Sequence, residues 1–431
     1  MPPLPLGRIA DPQFQTGEVF LIPPEVRRKH MAIFGTTGAG KSTLLRNMIA
    51  WDIRYGLGVT VVDPHGALIE DILEYHIPRS RTNDVIYLNP KDPERAVGIN
   101  VLQAVRPGER ALVVSQVVGI FKRIWGDSWG PRLEDILRNT LFALTEQPEP
   151  VSLIAVPKLL TDPAYRKRIL AHVTNPVVKS FFLDTYDKWK EAFREEAISP
   201  VLNKIRAFLT DPLIRAVIGQ TKSSFDFRWL MDNKKILLCD LSKGAIGEDN
   251  ANLLGSLVVT KEKLAALSRQ DVPEAERVPH ILYVEEAQNF IGDFPSILSE
   301  ARKYQLALVV VTQGIQQLKE EDAFAVFGNC ATVATFRVGG EDAKQLEQHF
   351  AGGVPAKAIQ ELPDFKLYVR TMVTDPHGVS RPTGPHPLDA FPPFQKIKGM
   401  ADYDQVVRVS RARHACPRTT VERRIAGFLA A

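Results

Sequence analysis

The sequence predicts an α/β chain built on a mostly parallel sheet and interrupted by an inserted all-α domain, and three observations predict it. Short β-rich apolar runs recur, and several end in a charged or polar residue, as buried parallel strands do at their functional edge. Helical patterns separate many of these runs, which suits crossover helices on a parallel sheet. From about residue 104 to 228 the alternation stops and only helical periodicity remains.

The apolar runs fall at residues 31–34, 59–63, 85–88, 235–240, 280–285, 306–312, 332–338 and 366–372. In the helical stretch Leu133, Ile136, Leu137, Leu141 and Leu144 share one face, as do Val201, Leu202, Ile205, Phe208 and Leu209. Its basic residues, among them Lys122, Arg123, Lys188, Lys190 and Lys204, are interleaved with Trp125, Trp129 and Trp189. That mix suits a gripped phosphate backbone with stacked bases, or core tryptophans ringed by snorkelling cations. From Thr374 to Phe394 the prolines predict an extended strap. A basic tail follows, with six arginines against one acid, Glu422, between Arg408 and Arg424. It reads as a phosphate-binding segment or a solvated helix.

With 45% hydrophobic and 24% charged residues, the 431-residue chain has the composition of two or three packed units rather than of a disordered protein. Cys239, Cys330 and Cys416 are far apart and form no CxxC pair. They indicate neither a disulfide framework nor a zinc site, and a cytoplasmic location fits them best. No run of 18 apolar residues occurs, so membrane contact is expected through partners and not through a span. The net charge of +4 permits a polyanionic partner without indicating one.

The first strand runs into Gly35-Thr36-Thr37-Gly38-Ala39-Gly40-Lys41-Ser42, and Thr43 opens an apolar helical pattern. Glycines at this spacing let backbone N–H groups curl around phosphate oxygens, Lys41 supplies a mobile cation, and Ser42 offers a hydroxyl to Mg²⁺. The pattern predicts ATP as ligand. The strand 280–285 ends in Glu285-Glu286, one acid for Mg²⁺ and the second for the attacking water. Where most such enzymes place aspartate, Glu285 is one methylene longer. The strand 306–312 ends in Thr312-Gln313, a neutral amide suited to touch both γ-phosphate and water. Asp63 ends the strand next to the P-loop in sequence, where it braces the magnesium shell or starts a turn. No Asn-Lys-x-Asp guanine motif appears.

Taken in order, these motifs together with Ser299-Glu-Ala-Arg-Lys-Tyr and Phe336-Arg-Val-Gly resemble the HerA/FtsK superfamily of hexameric motors. The nearest resemblance is to the TraD/TraG-like coupling ATPases of conjugative type IV secretion. It covers residues 17 to 375 and is specific in its combination, while the P-loop is specific alone. The helical stretch is similar to the all-α domain of those proteins, whose N-terminal membrane anchor has no counterpart here. The resemblance implies a RecA-like P-loop NTPase core, a homo-hexamer with ATP at each interface, and DNA through the centre. Secretion-channel or DNA-processing proteins are implied as partners. It also implies that Arg302, eleven residues before Gln313, reaches into a neighbour's site, with Arg337 as the second candidate. The expected domains are 1–103 and 229–375 for the two parts of the ATPase core, 104–228 for the helical insertion, and 376–431 for the strap and tail. A DNA translocase is the first reading and an assembly or protein-secretion ATPase the second.

Overall fold

The computed structural model describes residues 1–10, 17–103, 107–374 and 379–431. The first residues of the expected insertion, 104–106, and of the proline-rich stretch, 375–378, lie outside the described residues. The chain divides into two compact units. The first comprises Met1–Tyr87, Phe227–Asp240 and Glu262–Ser410, the second Leu88–Asp226, Leu241–Lys261 and Arg411–Ala431. The helical unit thus extends beyond the expected 104–228 and takes in the end of the tail, which does not stand apart.

In chain order the strands are β1 (Leu4–Ile9), β2 (Val19–Ile22), β3 (Met31–Phe34), β4 (Gly58–Asp63), β5 (Val85–Leu88), β6 (Arg95–Ala96), β7 (Ile236–Asp240), β8 (His280–Val284), β9 (Leu306–Thr312), β10 (Thr332–Thr335), β11 (Lys366–Thr374), β12 (Ser380–Ala390) and β13 (Cys416–Pro417). All but β6 and β13 form one sheet in the order β2-β1-β12-β11-β10-β3-β9-β8-β4-β7-β5. From β10 to β7 neighbouring strands are parallel, and every residue of β3, β4, β7, β8, β9 and β10 is buried. This is the pattern of strands covered on both faces. The mostly parallel α/β core is therefore as expected.

Of the antiparallel flank only β11 falls on an expected run, 366–372. β11, β12, β1 and β2 extend the sheet beyond β10, and the proline-rich stretch expected as a strap is largely strand β12. Pro382, Pro385 and Pro387 lie in the part of β12 that pairs with β11, whereas β1 pairs only from Leu388 to Ala390. Beyond the Ala10 amide, which donates to the Pro387 carbonyl at 2.9 Å, no described strand pairs with β12 over the prolines on that side, and there a missing N–H is tolerated. Strap-like behaviour survives at residues 391–394: Asn47 Nδ2 donates to the carbonyls of Phe391 and Pro392 at 3.2 and 3.0 Å, and the Phe394 amide donates to Asn47 Oδ1 at 2.9 Å.

The P-loop helix, Lys41–Arg54, is held through Asp52 by a buried ion pair with Arg27 and by a hydrogen bond from the sheet. Arg27 donates to both Asp52 oxygens at 2.6 and 2.7 Å, and the Tyr283 hydroxyl of β8 donates to Asp52 at 2.5 Å. Such a charge-assisted group fixes orientation because unpairing any member strands a buried charge. Deeper still, Thr60 of β4 donates to Glu262 at 2.5 Å and meets His280 Nε2 of β8 at 2.9 Å. Burial pushes the Glu262 carboxyl up to about 8, against the pull of the Thr60 hydroxyl and Arg269. The folded chain keeps a proton that the unfolded chain loses above its ordinary value of 4.5. This contribution to stability is complete below that value and falls as pH rises toward about 8, by up to ~1.4 kcal/mol per pH unit. Glu262→Gln keeps the shape without the acid and is expected to flatten that fall in urea unfolding measured between about pH 5 and pH 8. An unchanged slope would place the proton elsewhere.

The second unit is mainly helical. The predicted apolar faces of Pro131–Thr145 and Glu191–Thr210 are buried, with Leu209 only partly so. Trp125 stacks on Phe121 with 5.5 Å between centroids and lies 5.0 Å from Phe208, and Lys204 sits over its ring at 5.5 Å. Trp129 donates to Glu134, and Trp189 packs among Phe181, Tyr186 and Phe193. Of the two readings of these tryptophans, the packed one describes their surroundings. In the tail, Arg411 pairs with Asp92 at 2.6 Å, Arg418 donates to the carbonyls of Pro90 and Asp92, and β13 pairs with β6. No helix among the described residues is long and apolar enough to cross a membrane.

Candidate functional site

Parallel strands deliver their carboxyl ends to one edge, and open α/β sheets bind ligands there. β3 ends at Phe34, in register between Thr312 of β9 and Thr335 of β10, and the P-loop leaves it directly. Gly35 approaches Phe336 so closely that a Cβ would stand 2.7 Å from that residue's Cβ. Gly40, at φ 119°, caps the helix Lys41–Arg54 in a left-handed conformation that glycine adopts freely. The loop is tied to the segment that follows β10 by Thr36, whose amide and hydroxyl donate to the Arg337 carbonyl at 2.8 and 3.2 Å. Thr37 and Gly38 are exposed, Ala39 is buried, and Lys41, Ser42 and Thr43 form the first turn of the helix. Lys41 Nζ donates to the carbonyls of Gly35 and Thr36. Burial lowers its pKa, while Glu286 and Glu285 pull the other way.

Glu285 extends β8 by one more bond, its amide donating to Val62 of β4 at 3.1 Å. Its carboxylate accepts from the Ser42 hydroxyl at 2.8 Å. Burial, then the Asp63 carboxylate, push its pKa up to about 7, against the Ser42 hydroxyl and Lys41. The longer acid therefore reaches the P-loop hydroxyl directly. Asp63 is fully buried, and its carboxylate accepts from the amides of His65 at 2.7 Å and Ile69 at 3.2 Å. Burial, reinforced by Asp240, raises its pKa in spite of those amides. Of its two readings, these bonds describe the turn before the helix Ala67–Tyr75. A hydroxyl and a carboxylate are hard oxygen donors that suit Mg²⁺. Among the described residues no three His, Cys, Asp or Glu side chains converge as a cage, and a magnesium site completed by phosphate and water oxygens needs none.

Glu286 is held differently. Its backbone is left-handed, at φ 52° and ψ 51°, a strained state for a residue with a Cβ that costs ~1–3 kcal/mol and clusters at functional sites. Its carboxylate accepts from Gln313 Nε2 at 3.0 Å and from Gln288 Nε2 at 2.6 Å. Gln288 also donates to Gln317 Oε1 at 2.9 Å, which accepts from the Thr312 hydroxyl at 2.9 Å. Sequence reasoning missed Gln288 and Gln317. A second amide two residues after Glu286 was the available signal for Gln288, and no pattern marks Gln317.

The two arginines lie in different places. Arg337 is beside its own P-loop, and its guanidinium donates to Asp364 at 2.9 Å and to the Leu362 carbonyl at 3.2 Å. Arg302 is exposed in the turn Ala301–Tyr304 before β9. The seven residues of β9, at ~3.3 Å each, separate it by roughly 20 Å from the sheet edge that bears Gln313. There it lines a hollow of about 490 Å³ with Lys29, His349 and Arg370. Lys41, Ser42, Glu285, Glu286 and Gln313 come together in one chain. Arg302 does not join them.

A family model described as the central domain of helicase HerA matches residues 5–260, and one described as the TraM recognition site of TraD and TraG matches residues 279–349. The type 4 coupling protein DotL of Legionella pneumophila is 21% identical in an alignment of length 391, and the match covers 73% of this chain and 48% of DotL. The chain thus spans about half the length of the curated relative it matches. Among solved structures, the bacterial conjugative coupling protein TrwB with sulphate shares the fold at a TM-score of 0.59 and 19% identity, over 93% of this chain and 98% of that one. The plasmid coupling protein TrwB in complex with ADP and Mg²⁺ aligns at 0.56 and 18%, over 89% and 90%. VirB4 of Thermoanaerobacter pseudethanolicus aligns at 0.53 and 14%, over 92% and 98%.

Proposed function

We propose a function for a chain that belongs to the family of the helicase HerA central domain: it is an ATP-driven DNA translocase that works as a homo-hexamer in conjugation-like transfer. The observation that carries this reading is the Glu286 carboxylate, shared by the Gln313 and Gln288 amides beside the P-loop lysine. Hydrolysis of ATP needs the γ-phosphate clamped, a water aligned behind it, and the growing charge neutralised. The P-loop amides and Lys41 clamp the phosphates, and Glu286 orients or deprotonates the water. Ser42 and Glu285 are the residues that would hold Mg²⁺, which when bound neutralises charge on the phosphate oxygens. Gln313, which donates to Glu286 at 3.0 Å, reports loss of the γ-phosphate without itself becoming charged. The TrwB complex with ADP and Mg²⁺ supports the choice of ligand.

A second reading, an assembly or secretion ATPase that never grips DNA, is favoured by the internal packing of Trp125 and Trp189. The segment matched by the TraM recognition model supports a protein partner under either reading. ATPase rate against DNA concentration at low salt, with long DNA compared with short, separates the two. A translocase reads phosphates, so binding is expected to be indifferent to sequence, with a log–log salt slope of magnitude on the order of 3 to 8. Hydrolysis is expected to rise with DNA length. If a verified hexamer shows neither binding nor stimulation, the secretion-ATPase reading replaces the translocase.

A further inference from the structure

Phe365 precedes β11 at φ 63°, in the left-handed region that a bulky residue adopts only under constraint. The constraint is visible. Its amide donates to the Ala39 carbonyl of the P-loop at 2.9 Å, and its carbonyl accepts from the Ala390 amide at 2.9 Å. Packing offsets little of the strain, because the side chain is 49% exposed. The ring nevertheless lies against the phosphate loop: a Cβ on Gly40 would stand 3.0 Å from Phe365 Cδ1 and 3.1 Å from Phe336 Cε1. Phe336 is fully buried and serves the core. Phe365 instead holds an aromatic face in solvent at the rim of the loop.

We propose that Phe365 is the platform on which the base of the bound nucleoside triphosphate stacks. The proposal deepens the ATPase reading and rests on it. With the phosphates held by the amides of residues 36–43, the base follows one ribose beyond the α-phosphate and needs an apolar surface at the rim. A ring pinned by its own backbone supplies that surface without ordering a mobile side chain on binding. A π-face attracts any base and reads no hydrogen-bonding edge. The contact therefore favours purines over pyrimidines by area and separates adenine from guanine weakly. The Arg337–Asp364 pair at 2.9 Å stiffens the same turn.

Titration calorimetry of the full chain with ATP and with inorganic tripolyphosphate tests the platform, because only ATP carries a base. Phe365→Ala and Phe365→Asn are expected to weaken ATP by about 10-fold or more, the scale of one lost base–aromatic stack, and to leave tripolyphosphate unchanged. Asparagine tolerates the left-handed backbone, so its variant removes the ring without the fold. Phe365→Tyr is expected to retain ATP affinity. Equal losses for both ligands would make the ring a support of the loop and overturn the proposal, as would unchanged ATP affinity in Phe365→Asn. Wild-type protein that binds tripolyphosphate as tightly as ATP would remove the platform alone. Wild-type protein that binds neither would remove the nucleotide reading with it.

Discussion

Lys41→Ala is expected to lose ATP binding, and Glu286→Gln to bind ATP while turning it over at least about 100-fold more slowly. The two outcomes differ because the two charges act on different states. Lys41 is buried at the start of its helix, with its ammonium among the loop carbonyls of Gly35 and Thr36, so its removal takes a cation from the ground-state complex. Among the described residues Glu286 makes no hydrogen bond to a P-loop group. Its partners are Gln313 and Gln288, which places it where water is oriented. Glutamine at position 286 makes the same backbone demand as glutamate at φ 52°, so the variant isolates the charge from the strain. Calorimetry with ATP and steady-state phosphate release read the two effects separately. Near-normal turnover by Glu286→Gln would move the role to another group.

Arg302→Ala is expected to lower turnover by about 10³-fold or more, the loss seen when an arginine that stabilises a phosphoryl-transfer transition state is removed. Arg302 sits in the turn before β9, roughly 20 Å of strand away from Gln313, and cannot serve its own nucleotide. It can serve a neighbour's in a ring. Specific activity is therefore expected to rise with protein concentration. Mixing Arg302→Ala with Glu286→Gln subunits is expected to restore part of the rate, because some interfaces then pair an intact arginine with an intact acid. Arg337→Ala is expected to fail in that complementation, since Asp364 of its own chain holds the guanidinium at 2.9 Å. No recovery in mixed rings confirmed by mass would remove Arg302 as a residue acting in trans.

The parallel core was legible because its strands are compact apolar runs, several of them with a charged or polar residue at the end. β4 and β9 were each placed to within a residue of their bounds. Of the antiparallel flank only β11 was legible. β1 contains proline and glycine, Leu-Pro-Leu-Gly-Arg-Ile, and β12 is interrupted by three prolines, so neither shows the β-branched run that marks a strand. Their pairing with each other and with β11 supplies what their composition lacks. The same holds for the interleaved lysines and tryptophans of the second unit: a list of residue types cannot tell a stacking surface from an aromatic core. Trp125 against Phe121 and Phe208 is a matter of which helices meet.

By itself the sequence determined which chemistry each strand carries, because those signals are local: the spacing from Gly35 to Ser42, two adjacent acids after β8, and a threonine and a glutamine at the end of β9. Only the tertiary structure decided which of these groups meet. It joined Ser42 to Glu285 across 243 residues and brought the amides of Gln313 and Gln288 to the Glu286 carboxylate. It turned Asp63 toward the amides of its own turn, and it set Arg302 at the opposite edge from Gln313. The physical reason is that strand register and the left-handed turn at Glu286 follow from crossovers between distant segments. Such contacts leave no period in the local sequence.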